Sequence, residues 1–132
     1  MAKHIEEYDS NGLARVYDNA QWYLIDKDSN QVTEAYSYIE EWGEGYYKAE
    51  QGAKKNILRP DGSVVLNQWY NDVFKVQHGF FIFGNTIRKS KTNPKTRYIQ
   101  GVAHVSGIIV FPMIFERTQW CEDGKAIYAE ID

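Results

Sequence analysis

Short runs of mostly apolar or aromatic residues recur along the chain, each directly after a glycine. Four such runs occur: Gly12-Leu13-Ala14-Arg15-Val16, Gly45-Tyr46-Tyr47-Lys48-Ala49, Gly79-Phe80-Phe81-Ile82-Phe83 and Gly124-Lys125-Ala126-Ile127-Tyr128. Successive glycines lie 33, 34 and 45 residues apart. Short strands bounded by glycine are typical of β-structure. Self-similarity at this period indicates a protein built from repeats.

A second feature recurs between the glycines, where an apolar strand runs into a polar turn. The three strand and turn pairs are residues 22–25 with 26–30, 56–58 with 59–62, and 102–105 with 106–107. The Pro-Asp-Gly of the second turn suits a tight hairpin, because proline presets φ and glycine tolerates a positive φ. The pattern therefore predicts an all-β fold of antiparallel hairpin repeats. It comprises three units of 33 to 45 residues and a terminal half-unit, stacked as a short solenoid or meander.

The predicted repeats divide one domain, residues 1–132, into consecutive segments. These are a half-unit at 1–19, units at 20–52 and 53–84, an insertion at 85–101, and a unit at 102–132. Two or three strands cannot bury both faces alone, so neighbouring units must stack. We expect Ile39 and Trp42, in a loop between hairpins, to anchor one hairpin to the next. Gly45 is expected to adopt a backbone conformation that other residues avoid.

The ends of the chain affect how such a stack is completed. The sequence stops at Asp132, where the next hairpin turn would begin. Because an uncapped stack exposes strand edges and apolar surface, we expect more chain to follow in the natural protein. The alternative is that the terminal half-units complement each other.

The stretch 39–66, with its Trp42-Gly43 pair, Glu44-Gly45 and the Asp61-Gly62 turn, resembles the bacterial WG-repeat proteins. In that family a Trp-Gly or hydrophobe-x-Gly signature marks units of similar length that are rich in Asp-Gly turns. The resemblance implies a repeat scaffold rather than an enzyme. Such repeats also occur joined to other domains, for example ADP-ribosylglycohydrolase-like catalytic domains.

Composition and charge bear on the cellular compartment of the protein and on its partners. A single cysteine, Cys121, cannot form an internal disulfide, which suits a reducing compartment. The N-terminus lacks the apolar segment of a secretory signal, and the longest apolar run, residues 108–115, is too short to span a bilayer. These features predict a cytoplasmic protein without membrane contact. The net charge of −3 predicts no general nucleic-acid binding.

Residues 85–97 break the repeat and carry five positive charges without an acid. The charged residues, which are candidate contacts for an anion or a partner, are Arg88, Lys89, Lys91, Lys95 and Arg97. Insertions in repeat proteins often carry binding, so this excursion or extended hairpin is a candidate site for a phosphate, a nucleic-acid backbone or an acidic partner domain. The alternative is a hairpin tip that its lysines keep solvated.

Aromatic residues concentrated in the middle of the chain are a second set of candidate ligand contacts. Tyr46, Tyr47, Trp69 and Tyr70 are the candidate ligand contacts, since exposed rings stack on sugars or bases. The alternative is that these rings fill the interfaces between hairpins, where large side chains are needed.

No catalytic or metal-binding motif emerges. Asp26, Asp28 and Asn30 mimic the start of a calcium loop, but Gln31 and Ser37 replace its glycine and terminal glutamate. An Asp- and Asn-rich turn accounts for them. The acids Glu40, Glu41 and Glu44 lie beside Trp42, yet the sequence nominates no distant carboxylate to complete a glycosidase pair.

The sequence thus predicts a non-catalytic scaffold or binding module of a larger bacterial protein, without a cofactor. Its expected partner is another protein or a downstream domain of the same chain. The alternative function is a carbohydrate- or nucleotide-binding module that uses the aromatics and the basic 85–97 excursion.

Overall fold

The computed structural model describes the backbone of residues 3–88, 96–115, 117–120 and 127–130, with the side chains of 3–86 and 98–112. These residues form strands and turns without a helix. The strands are β1 (His4–Ile5), β2 (Ala14–Asp18), β3 (Gln21–Ile25), β4 (Tyr38–Glu41), β5 (Tyr47–Gln51), β6 (Lys54–Leu58), β7 (Asp72–Val73), β8 (Phe80–Arg88), β9 (Thr96–His104), β10 (Ile109–Phe115), β11 (Arg117–Trp120) and β12 (Ile127–Glu130).

The strands pair antiparallel in four sheets, which confirms the predicted all-β hairpin fold. The first sheet is β1-β2-β3, the second β4-β5-β6, the third β10-β9-β8-β7 and the fourth β11-β12. Ile39 lies on β4 with its side chain fully buried, so its predicted place in a loop between hairpins was wrong. The division into units and their arrangement as a solenoid or meander stay predictions.

One hydrogen-bond pattern closes three of the hairpin turns. The turns span residues 26–30, 59–63 and 104–108, and in each the first N–H donates to the fifth carbonyl at 2.8 to 2.9 Å. The fourth residue of each turn has a positive φ: 67° at Ser29, 89° at Gly62 and 101° at Gly107. The polar turns predicted from the sequence therefore lie where the structure has them.

The repeated glycines share one backbone conformation. Gly12, Gly45 and Gly79 have φ values of 80°, 83° and 81°. This is the left-handed region that side chains disfavour, so the prediction for Gly45 is confirmed. Gly124 lies outside the described residues.

The turns of one sheet pack on those of the sheet before it. A Cβ added to Gly43 would lie 2.7 Å from the carbonyl oxygen of Val76, and one added to Gly62 would lie 2.9 Å from Cγ2 of Thr33. Arg59 extends the packing by donating to the carbonyl oxygens of Val105 at 3.2 Å and Ser106 at 3.0 Å. A side chain at Gly43 would therefore overlap the neighbouring backbone, and one at Gly62 would overlap the side chain of Thr33.

Apolar side chains from neighbouring sheets form two principal core clusters. We call the first the N-terminal cluster: Leu13, Leu24, Tyr36, Ile39, Tyr47, Ala49 and Leu58. We call the second the central cluster: Ile57, Val65, Leu66, Tyr70, Val73, Val76, Phe81, Phe83 and Ala103. The second sheet contributes to both clusters and so connects the first sheet with the third.

The basic excursion arises from the longest hairpin. Strands β8 and β9 pair over nine residues each, from Phe80 with His104 to Arg88 with Thr96. Residues 89–95 lie outside the described residues. No helix with the length and apolar content needed to cross a bilayer occurs in the part of the chain that the structure describes.

Candidate functional site

A concave cleft of about 620 Å³ lies between the first and second sheets. Residues before and along β2 form one side of it, and residues of β4 and β5 form the other. The lining residues are Glu6, Glu7, Asp9, Leu13, Arg15, Tyr38, Glu40, Glu41 and Tyr47. The cleft is thus lined by five carboxylates and one guanidinium.

Arg15 is fixed within the cleft by groups from both sheets. Its Nη1 donates to the carbonyl oxygen of Ile39 at 2.7 Å, and its Nη2 pairs with the carboxylate of Glu6. The guanidinium lies 5.1 Å from the ring centroid of Trp22, within cation–π range. Burial works against the charge, but hydrogen bonds and charge interactions with Tyr38 and Glu6 leave the pKa of Arg15 raised. Arg15 therefore links the two walls and stays charged.

Tyr47 makes the second link between the sheets. Its side chain is 1% exposed, and its hydroxyl donates to the carboxylate of Asp9 while accepting from Nδ2 of Asn11 at 3.0 Å. Asp9 also accepts from the backbone N–H of Leu13 at 3.1 Å. Burial, followed by the hydrogen bond to Asp9, raises the pKa of Tyr47 well above its usual range. The hydroxyl therefore stays protonated and holds the Asp9 carboxylate in place.

Two carboxylates of the cleft are left without such a contact. Glu40 pairs with Lys48 at 3.1 Å, whereas the carboxylates of Glu7 and Glu41, both exposed residues, make no hydrogen bond or ion pair with any residue that the structure describes. Glu7 belongs to the first sheet's wall and Glu41 to the second. A cleft lined mainly by one sign of charge concentrates counter-ions, so this one attracts cations.

A smaller hollow of about 140 Å³ adjoins the cleft through shared lining residues. Asp9, Glu41 and Tyr47 line both, and the hollow also includes the Trp-Gly stretch at Gly43 and Gly45. The stretch that the sequence marks as the best repeat match therefore borders the cleft.

The candidate aromatic residues are packed between sheets. Tyr47 and Tyr70 are buried, in the N-terminal and central clusters respectively. Tyr46 is half-buried against the central cluster and Trp69 against the N-terminal cluster. The ring of Tyr70 lies 4.7 Å from that of Phe83, centroid to centroid. These rings fill interfaces, which leaves them little face to offer a ligand.

The basic candidate residues lie at and beyond the ends of β8 and β9. Arg88 is the last residue of β8 and Arg97 lies on β9, and for both the structure describes the backbone and not the side chain. Lys89, Lys91 and Lys95 lie outside the described residues.

The calcium-like turn is held by its own backbone. The carboxylate of Asp26 accepts from the N–H groups of Asp28 and Asn30 at 2.9 Å each. The hydrogen bond from Asn30 is the main cause that lowers the pKa of Asp26. The interpretation as an Asp- and Asn-rich turn is confirmed. Among the described side chains, no three His, Cys, Asp or Glu residues are grouped to hold a metal ion.

The structure brings together acids that sequence reasoning did not connect. Glu6, Glu7 and Asp9 face Glu40 and Glu41, about 33 residues further along the chain. One signal was present in the sequence. Asp9 occupies the position three residues before the repeated glycine, which is apolar in the later runs.

Comparison of the chain with protein-family models, with curated proteins and with solved structures found no match.

Proposed function

We propose that this chain is a non-catalytic binding module of a larger bacterial protein, and that the cleft between its first two sheets receives a cationic group of a partner protein. The observation that carries the proposal is a pair of carboxylates, Glu7 and Glu41, that have no hydrogen-bond or ion-pair partner among the described residues and line the same cleft as the fixed Arg15 and Tyr47. The cationic group is a lysine ammonium or an arginine guanidinium.

The size of the cleft favours a peptide segment. Cavities of roughly 300 to 1,000 Å³ hold small ligands or a few side chains, and this one measures about 620 Å³. Because Arg15 and Tyr47 are held by contacts to both sheets, the site is preorganised. Less ordering free energy is then lost on binding.

The scaffold part of the proposal rests on the geometry of the turns and on the WG-repeat resemblance. Gly12, Gly45 and Gly79 share a positive φ near 80°, as copies of one element would. A stack of such elements presents surfaces between neighbouring units. The partner is another protein or a downstream domain of the same chain.

A carbohydrate-binding function is the second candidate, and one observation favours it. Carboxylates lie on both walls of the cleft together with the half-buried ring of Tyr38. Carboxylates accept hydrogen bonds from sugar hydroxyls, and aromatic rings pack on sugar faces. The basic excursion at 85–97 stays a candidate contact for an anionic ligand.

Calorimetric titration with blocked peptides tests the charge preference. The probes are Gly-Lys-Gly-Lys-Gly-Lys and its glutamate counterpart, added to the full chain at low salt. We expect the lysine peptide alone to bind, and the Glu7→Gln/Glu41→Gln double variant to weaken binding by about tenfold, since each lost charge contact contributes roughly 0.5 to 1 kcal/mol.

Glu34→Gln is the matched control, because Glu34 is exposed and outside the cleft. It should leave the affinity unchanged. Equal binding of the two peptides, or equal affinity of the double variant and the wild type, would remove the cationic-ligand proposal. Saturable binding of a neutral oligosaccharide that the double variant loses would favour the second candidate instead.

A further inference from the structure

Each later turn covers a segment of the sheet before it. Gly62, in the turn of the second sheet, lies over Val32 and Thr33, since its added Cβ would approach their side chains to 3.4 and 2.9 Å. Gly107, in the turn of the third sheet, lies over Val65, whose carbonyl oxygen would be 3.0 Å from an added Cβ. A glycine-bearing turn thus packs on a segment of the preceding sheet at two places.

The third sheet has an equivalent segment, which β-bridges identify. Leu58 pairs with Val64 on either side of the turn at 59–63, and Ala103 pairs with Ile109 on either side of the turn at 104–108. The two pairs are therefore equivalent. Val110 is therefore the counterpart of Val65. Val65 is 7% exposed under its glycine turn, whereas Val110 is 43% exposed.

This segment, which none of the side chains that the structure describes covers as Gly107 covers Val65, is also more apolar than its counterparts. Ile108 is 66% exposed and Ile109 43% exposed. In the second sheet a serine, Ser63, occupies the position of Ile108. Residues 108–110 thus form a continuous apolar strip without charge, which we call the terminal strip.

We propose that the terminal strip docks a partner polypeptide that presents an apolar strand followed by a glycine-bearing turn, built like residues 56–63 of this chain. The occupant continues the interface already made by Gly62 and Gly107. Its turn needs glycine because an added Cβ would lie 2.9 to 3.0 Å from the covered segment at Gly62 and Gly107, and both glycines have a positive φ.

The chain's own first turn does not meet this requirement. Ser29 occupies the fourth turn position there, with a φ of 67°, and carries a side chain where Gly62 and Gly107 have none. A second copy stacked by its first sheet would therefore bring a side chain into the contact. The occupant is accordingly a different chain with glycine at that position.

A peptide with the sequence of residues 56–66, blocked at both ends, is the probe. It includes the strand, the turn and the covered segment, and its Arg59 and Asp61 cancel in charge, so the acidic cleft has no charge preference for it. A second peptide carries Gly62→Val, which a positive φ disfavours. We expect saturable binding of the first peptide to the full chain, measured by fluorescence anisotropy. The affinity of the second peptide should be lower by about tenfold or more.

Variants of the full chain locate the binding. Ile109→Ser/Val110→Ser should abolish peptide binding without unfolding the chain, because both side chains are already exposed. Val64→Ser is the matched control on the covered sheet and should retain binding.

Three outcomes would overturn the proposal: equal affinity for the two peptides, unchanged binding by the double serine variant, or no binding by the wild type. Concentration-dependent dimerisation that the double serine variant loses would assign the strip to a second copy, and would also overturn it. None of these outcomes bears on the cationic-ligand proposal, whose residues lie between the first two sheets.

Discussion

The interface between the first and second sheets has an apolar core but opens into the polar cleft at one side, and we call it the open interface. At the equivalent position the interface between the second and third sheets is filled by an aromatic side chain, and we call it the closed interface. The two interfaces differ in the residue at one corresponding position. Three residues before the positive-φ glycine, the first interface has Asp9 and the second has Trp42. Asp9 accepts from Tyr47 at the edge of the cleft. Trp42 packs against the central cluster, and its Nε1 donates to the carbonyl oxygen of Val73 at 3.0 Å.

The two interfaces nevertheless share their backbone construction. The residue before each glycine reaches the next turn: Asn11 donates to the carbonyl of Gly45 at 2.7 Å, and Glu44 accepts from the N–H of Gly79 at 3.0 Å. Turn stacking is therefore common to both interfaces, and they differ in the side chain at this one position.

The largest expected effect comes from breaking the stacked turns of the closed interface. Gly43→Ala places a Cβ 2.7 Å from the carbonyl oxygen of Val76, at a φ of 99°. We expect a loss of about 3 kcal/mol in the free energy of unfolding, from backbone strain and overlap together. Urea unfolding measures it.

Gly52→Ala is the control for that loss. Gly52 also has a positive φ, of 61°, but no atom lies within 4 Å of an added Cβ. It should cost about 1 kcal/mol. Equal losses for the two variants would show that turn stacking contributes nothing beyond backbone conformation.

Removing the tryptophan tests what closes the second interface. Trp42 is half-buried, and Nζ of Lys48 lies 3.9 Å from its ring centroid. Trp42→Ala should lower the free energy of unfolding by about 2 to 3 kcal/mol, somewhat less than for a fully buried tryptophan. Thermal or urea unfolding checks this. A loss below about 0.5 kcal/mol, the range of ordinary surface changes, would mean that Trp42 does not hold the sheets together.

Removing one hydroxyl tests the polar link of the open interface. Tyr47→Phe removes the hydroxyl that donates to the Asp9 carboxylate and leaves that carboxylate with its backbone donors alone, so we expect a loss of about 1 to 2 kcal/mol. Tyr36→Phe is the matched control, because Tyr36 is buried in the same cluster and its hydroxyl makes no hydrogen bond with the residues described. It should change stability by less than about 0.5 kcal/mol. Equal losses would contradict the role given to the Asp9 link.

The local features of the two interfaces, their turns and backbone conformations, could be predicted from the sequence. Glycine and the Pro-Asp-Gly turn impose their backbone conformations over a few residues, so the turns and the φ of Gly45 could be predicted. The cleft could not, because its acids converge through the packing of β2 against β4. Ile39 was misplaced for a related reason: its spacing from Trp42 resembled a loop anchor, and tertiary pairing with Ala49 makes it a strand residue.

The smallest expected effect is the acid dependence of the turns. The pKa of Asp61 is lowered chiefly by the hydrogen bonds from Ser63, and that of Asp26 by Asn30. A carboxylate whose pKa is lower in the folded state stabilises the fold above its unfolded value of 3.8, and that stabilisation is lost as the pH falls through the folded value. NMR titration should place both carboxylates below 3.8. Titration at or above that value would mean that the turn hydrogen bonds do not favour the ionised form.

Amide shift mapping with the trilysine peptide Gly-Lys-Gly-Lys-Gly-Lys tests most directly whether the open interface is the binding site. We expect saturable shifts confined to residues 6–15 and 38–47, which border the cleft, with β7 and the first half of β8 unchanged. Shifts centred on β7 and β8, or none at peptide concentrations that saturate a site of millimolar affinity, would contradict it.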